Sequence, residues 1–221
     1  MSSGSRYLYP GTGTNVNLLG IRDSDKFDEA SVAITIERMK TVILENSKEI
    51  PGFDRLCQIH KRIFGDVYEW AGTIRDETIG FYYGSDKFGE EYIPYVDVQD
   101  VPKRLSKYFE TLHDENYLRG ISPHRFKERL ASRLASLSDI HPFMDGNTRT
   151  IAIYMNELAA GAGRNLAWKS VTAGDIAFAR LLYRGTQNPS AYDEIVQKLT
   201  TRERTRARSP HHDLDRFGFA R

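Results

Sequence analysis

Apolar residues recur at helical spacing along most of the chain, separated by short polar breaks. In "SDKFDEASVAITIERMKTVILENSKE", Phe27, Ala30, Ile34, Met39 and Ile43 repeat in this way, with Asp23 or Ser24 as N-cap. Pro51-Gly52 breaks the pattern. "FDRLCQIHKRIFGDVYEWAG" then carries Leu56, Ile59, Ile63 and Val67 and stops near Gly72. The segment "TIRDETIGFYYGSDKFGEEYIP" is rich instead in β-branched and aromatic residues around Gly84-Ser85-Asp86, which predicts a β-hairpin or flap. Helical periodicity returns with Val101, Leu105, Tyr108, Phe109 and Leu112. It continues with Phe126, Leu130, Leu134 and Leu137, behind a Ser122 cap and Pro123. "TIAIYMNELAAGAG" is apolar nearly all round, which predicts a buried central helix. Two further helices follow, in "TAGDIAFARLLYRG" and "NPSAYDEIVQKL".

These patterns predict an all-α helical bundle around one buried helix, with a single hairpin and no internal repeat. Residues 1–22 read as an irregular arm that Tyr7, Leu8, Tyr9, Leu18 and Leu19 could pin to the body. Residues 23–200 form the domain, and 201–221 an arginine-rich tail or frayed helix. The His211-His212-Asp213 run in that tail is weak evidence for a metal.

Composition narrows the classes. Apolar residues make up 40% and charged residues 28%, an ordinary globular balance. A net charge of +1 argues against a generally basic nucleic-acid surface. The single cysteine, Cys57, excludes an internal disulfide framework and a cysteine-rich zinc site, and reads as a small core residue. No apolar run is long enough to span a membrane, and no secretory signal opens the chain. A cytosolic place of action is expected.

Chemistry concentrates in "HPFMDGNTRT", His141 to Thr150, between two core helices. Pro142 disfavours helix at His141 and ends the helix before it. Phe143 anchors the turn, and Gly146 with Asn147 suits a tight turn. The buried helix then starts near Asn147, where unpaired N–H groups make an anion site. Arg149 adds donors suited to phosphate. Asp145 conflicts with an anion unless a hard cation lies between them, and Mg²⁺ bound by one carboxylate plus phosphate oxygens resolves the conflict. A neutral His141 could take a proton from an incoming hydroxyl. The bland alternative is a capping histidine, an Asp-capped turn and an ion-paired arginine. Each residue alone favours that alternative, while the combination favours nucleotide chemistry. Elsewhere, Tyr68 and Trp70 read as core, and His60, His113 and His124 as surface residues or caps.

The motif resembles that of the Fic family, HPFx(D/E)GNGRxxR. The stretches "YLYPGTG" and "IHKRIFGDVYEWAGTIR" and the flap-like segment support the resemblance, which runs over about residues 7–200. It implies a helical fold with a hairpin flap and a protein adenylyltransferase activity. That activity transfers a nucleoside monophosphate, usually AMP from ATP, to a Ser, Thr or Tyr hydroxyl of a target protein. Carried over position by position, His141 is the base and Asp145 the Mg²⁺ ligand. Gly146, Asn147, Thr148 and Arg149 handle the nucleotide, and Ile79, Gly80, Phe81, Tyr82 and Tyr83 form the target-docking flap.

The sequence departs from the family pattern twice. Thr148 stands in place of glycine, and Ala152 in place of the second arginine, which usually contacts the γ-phosphate. Hence a different donor, as in Doc-like protein phosphorylation, or an impaired binding module are the alternatives. A loose match to the family's inhibitory pattern, Thr41 to Asn46, falls at the end of the first helix, with Glu45 as its acid. A small antitoxin-like partner is therefore expected for control if there is any. The expected setting is a bacterial cytoplasm, or a host cytosol after delivery. Nucleic acid and membrane are not expected as partners.

Overall fold

A computed structural model describes residues 5–45, 51–85 and 89–201. The stretch 202–221, with His211 and His212, lies outside the described residues, as do Asn46 and the side chain of Tyr83. Among the described residues there are seven α-helices and one two-stranded antiparallel hairpin. The helices are α1 (Ser24–Leu44), α2 (Phe53–Phe64), α3 (Val101–Asp114), α4 (Pro123–Ile140), α5 (Asn147–Gly161), α6 (Ala173–Thr186) and α7 (Asp193–Thr200). The strands are β1 (Gly80–Ser85) and β2 (Gly89–Pro94).

Local chemistry sets the boundaries. Asp23 caps α1 by accepting from the Lys26 N–H at 3.0 Å. Ser122 caps α4, and Pro123 occupies its first turn, where no N–H is needed. The helix α2 ends at Phe64, earlier than its apolar spacing suggests, and Val67 belongs to the turn that follows. Asn188-Pro189 starts a short 3₁₀ turn that leads into α7.

Helix α5 is the centre of the bundle. Ile151, Ala152, Ile153, Tyr154, Met155, Leu158 and Ala159 are all buried, as an apolar circumference requires. Helix α2 lies on one side of it and donates Arg55 in a two-pronged pair to Glu157, at 2.8 and 2.6 Å. Phe27 and Met39 of α1 and Ile195 and Leu199 of α7 join the same core.

The N-terminal arm is packed rather than loose, but not through every predicted residue. Tyr7 is buried edge-on against Trp70, and its hydroxyl donates to Asp76 at 2.7 Å. Leu8 and Leu18 are exposed, because the arm is held by backbone bonds such as Leu18 N–H to Val67 C=O. Cys57 is only half-buried.

Candidate active site

His141 owes its position to a conformation that few side chains adopt. Helix α4 ends at Ile140, and His141 caps it with φ at 49°, in the left-handed region. Pro142 excludes the ordinary helical alternative. Arg75 then fixes the segment: its N–H bonds Pro142 C=O at 2.9 Å and its Nε bonds His141 C=O at 2.8 Å. The same buried guanidinium also reaches the carbonyls of Ile140, Val96 and Glu77, joining the motif to the exit of the flap.

The imidazole is oriented from both sides. Nδ1 lies 3.4 Å from Ser138 C=O, which can only accept, so Nδ1 carries the proton and Nε2 keeps a free lone pair. Tyr95 stacks flat on the ring, 3.6 Å between centroids. Burial holds the imidazole well below its ordinary pKa, and the positive charge of Arg180 adds to this, while the Ser138 carbonyl pulls the other way and Arg75 lowers it slightly further. His141 is therefore neutral at neutral pH, the state a general base needs.

Asp145 sits at the opposite end of the turn. Its Oδ2 accepts from the Tyr68 hydroxyl at 2.6 Å and its Oδ1 from Gly146 N–H at 2.6 Å. Burial, with Asp145 beside it, pushes the Tyr68 phenol upward and keeps it a donor. The sequence placed Tyr68 in the core; it is buried, and it also holds a motif carboxylate. His60 corrects the expectation of a surface histidine. It is fully buried between Phe64 and Phe143, with Nδ1 accepting from Gly72 N–H at 2.8 Å and Nε2 donating to Asp145 C=O at 3.0 Å. His113 and His124 are exposed as expected.

Two carboxylate oxygens offer about four lone-pair sites, so Asp145 retains capacity beyond its two bonds. Among the described residues no group of three or more metal-binding side chains exists. The donor set thus fits Mg²⁺ held by one carboxylate with substrate phosphates and water, and does not fit an all-protein cage.

Gly146 has φ at +75°, and a Cβ there would meet the Phe64 ring at 2.2 Å, so both backbone and space require glycine. No side chain caps the N-terminus of α5, which leaves its first N–H groups for an anion. Asn147 does not bring its amide to this cradle. That amide is buried and spent on Phe143, accepting from its N–H at 2.9 Å and donating to its C=O at 2.7 Å. Asn147 closes the turn through its side chain.

Arg149 lies over the Phe64 ring, 4.6 Å from its centroid, and donates to Thr35 Oγ1 at 2.6 Å, which leaves other donors of its fork open. Thr148 is exposed at the cradle. Ala152 is buried at 3% exposure, so no cation stands at that position. Glu45, the acid of the inhibitory-pattern match, is half-exposed and paired with Arg62.

The hairpin emerges beside His141. Phe81 pairs with Ile93 and Tyr82 with Tyr92 across the hairpin. Ile79 C=O accepts from Tyr95 N–H at 2.9 Å, and Phe81 packs on Tyr95 at 5.4 Å. Tyr82 is 68% exposed, on a hairpin with no third strand among the described residues. Ile79, Gly80, Phe81 and Tyr82 therefore lead away from His141 along the hairpin. Sequence reading missed His60, Arg75, Tyr95 and Arg180, all of which act through partners far along the chain.

The fold and site together define a helical domain that carries a neutral histidine, a carboxylate and a helix terminus without a side-chain cap on one turn, next to a hairpin. The Fic/DOC family pattern matches residues 52–159. A "Probable protein adenylyltransferase Fic" of Salmonella typhimurium is 30% identical over 165 residues, covering 75% of this chain and 77% of that one. The protein adenylyltransferase VbhT of Bartonella schoenbuchensis is 29% identical over 81% of this chain, which spans 36% of VbhT. The BepC protein of Bartonella tribocorum, solved with bound AMPPNP, superposes with a TM-score of 0.75 at 25% identity, covering 90% of this chain and 97% of that one. The chain belongs to the Fic/DOC family.

Proposed function

We propose that this domain transfers AMP from ATP to a Ser, Thr or Tyr hydroxyl of a target protein. The relatives named as protein adenylyltransferases and the AMPPNP-bound neighbour support this reading. The observation that carries it is the unprotonated Nε2 of His141 beside an uncapped helix terminus and the Asp145 carboxylate.

The target segment adds as a strand to the open edge of the hairpin, which brings its hydroxyl toward His141. Nε2 takes the hydroxyl proton as the oxygen forms its bond to the α-phosphorus. The bond from that phosphorus to the bridging oxygen breaks, and pyrophosphate leaves with the electron pair. The first N–H groups of α5 and the guanidinium of Arg149 hold the phosphates, and Asp145 is the residue that would hold Mg²⁺. Bound there, Mg²⁺ would neutralise phosphate charge. With Ala152 in place of the second arginine, Arg149 is the motif's remaining cation for the outer phosphates. Glu45 is engaged by Arg62, which supports control by a separate small protein rather than by this segment.

The test uses cell lysate, purified protein, and ATP labelled at either the α- or the γ-phosphate, with His141→Ala alongside. Label from the α-position that requires His141 is the expected result. Label from the γ-position alone would mean Doc-like phosphorylation, and no label from either would mean a binding scaffold.

A further inference from the structure

Helices α3 and α4 enclose an open groove of about 500 Å³ that no part of the proposed reaction uses. Lys103, Arg104 and Lys107 line it from one face of α3, at spacings that place them side by side. Arg133 of α4 faces them from the opposite wall, and Asp100 is the one carboxylate in the lining. No ion pair ties down Lys103 or Lys107 among the described residues, and both are exposed. Arg104 reaches only to 3.7 Å from Asp139.

The groove floor is polar and unsatisfied. Tyr108 is 2% exposed, yet its hydroxyl has no hydrogen-bond partner. Arg133 is 9% exposed and ion-paired with Glu115, its Nε 3.4 Å from Oε2 without a hydrogen bond. A buried hydroxyl that no protein group satisfies, as at Tyr108, is costly unless something else accepts from it. Lys103 and Lys107, with the ion-paired Arg104 and Arg133 beside them, select an anion of high charge density. The one aromatic wall is Tyr108, too little to sandwich a nucleobase.

We propose that this groove binds a compact anion carrying two or more phosphate groups, at a site separate from the phosphate cradle of α5. The lysines and Arg104 meet its outer charges, and Arg133 with the Tyr108 hydroxyl receives the phosphate that enters deepest. Such chemistry is offered by a soluble polyphosphorylated molecule and by a phosphoinositide headgroup.

Calorimetric titration of the full chain with inositol hexakisphosphate, without added Mg²⁺, tests the site. The expected result is saturable binding that weakens about tenfold or more in Lys103→Glu/Lys107→Glu and persists in Arg149→Ala. Tyr108→Phe, which removes one oxygen and leaves the fold, should also weaken it. Co-sedimentation with phosphatidylcholine vesicles, with and without phosphatidylinositol bisphosphate, separates the sources. Tighter binding to the phosphoinositide vesicles than to the soluble probe assigns a lipid headgroup, and the reverse a soluble ligand. No binding, binding lost in Arg149→Ala but kept in the lysine variant, or equal weakening by the distant surface change Lys169→Glu would overturn the proposal.

Discussion

The Tyr95 ring lies 7° from parallel to the His141 imidazole, and the Tyr95 hydroxyl accepts from Arg180 at 2.8 Å. Tyr95 therefore links His141, the start of the hairpin and α6. Its contribution is orientation, since it touches neither of the bonds that would change. Tyr95→Phe keeps the stack and should retain most of the transfer rate. Tyr95→Ala frees the ring to turn and should lower kcat roughly a hundredfold, as loss of alignment does, with little change in KM for ATP. Equal kcat in the two variants would remove Tyr95 from this role.

The pH profile follows from the same stack. Burial first, then Arg180 and Arg75, lower the pKa of His141. A base works when unprotonated, so a lowered pKa moves the acid limb of kcat/KM to lower pH. Transfer should hold as pH falls below the ordinary histidine value of 6.5. Arg180→Gln removes a neighbouring positive charge, which should raise the pKa and shift that limb upward. A limb at the ordinary value in the native protein would contradict the assignment.

Stability carries a second pH signature, from His60. Burial lowers its pKa to about 4 from 6.5. The unfolded chain then binds the proton in a range where the folded one does not. Stability is complete above 6.5 and falls as pH drops from there toward 4, by at most about 1.4 kcal/mol per pH unit for this group. His141 adds in the same direction. Melting temperature measured between pH 6.5 and 5, above the main carboxylate range, should fall more steeply in the native protein than in His60→Gln. Parallel slopes would show that His60 does not titrate in this way.

The motif was legible because its geometry is local. Pro142 sets the break, Gly146 the left-handed turn, and Asn147 bonds back only four residues to Phe143. The helices were legible from apolar spacing, and the hairpin from its aromatic run. The supports of the site were not. Arg75 meets His141 across 66 positions, Tyr68 meets Asp145 across 77, and His60 meets it across 85. No periodicity in a single chain records such pairings. His60 looked like a surface residue because its type is usually polar-facing, and only packing between two phenylalanines shows otherwise.

Tyr68 offers a way to separate the metal from the base. Its hydroxyl holds Oδ2 of Asp145, so Tyr68→Phe leaves the carboxylate present but less fixed. Asp145→Ala removes it. The midpoint of a Mg²⁺ titration of transfer should rise several-fold in Tyr68→Phe, about 1 kcal/mol for one hydrogen bond. Activity should be largely lost in Asp145→Ala at any Mg²⁺ concentration. An unchanged midpoint in Tyr68→Phe, with normal folding, would detach this bond from metal binding.

Gly146 and Phe64 form the tightest steric relationship in the site, and they test whether the cradle's shape is set by packing. A methyl group at 146 would lie 2.2 Å from the Phe64 ring, on backbone with φ at +75°. Gly146→Ala therefore meets two penalties, the left-handed backbone at roughly 1 kcal/mol and the clash at about 1–3 kcal/mol. Phe64→Leu removes the ring edge but also the surface on which Arg149 rests. In the double variant the clash should vanish while the backbone penalty stays. The two changes together should then cost less than the sum of each alone, by about the clash penalty, in chemical denaturation. Additive costs would mean that the Phe64 ring turns aside freely. In that case only the positive φ would hold glycine at the mouth of the helix.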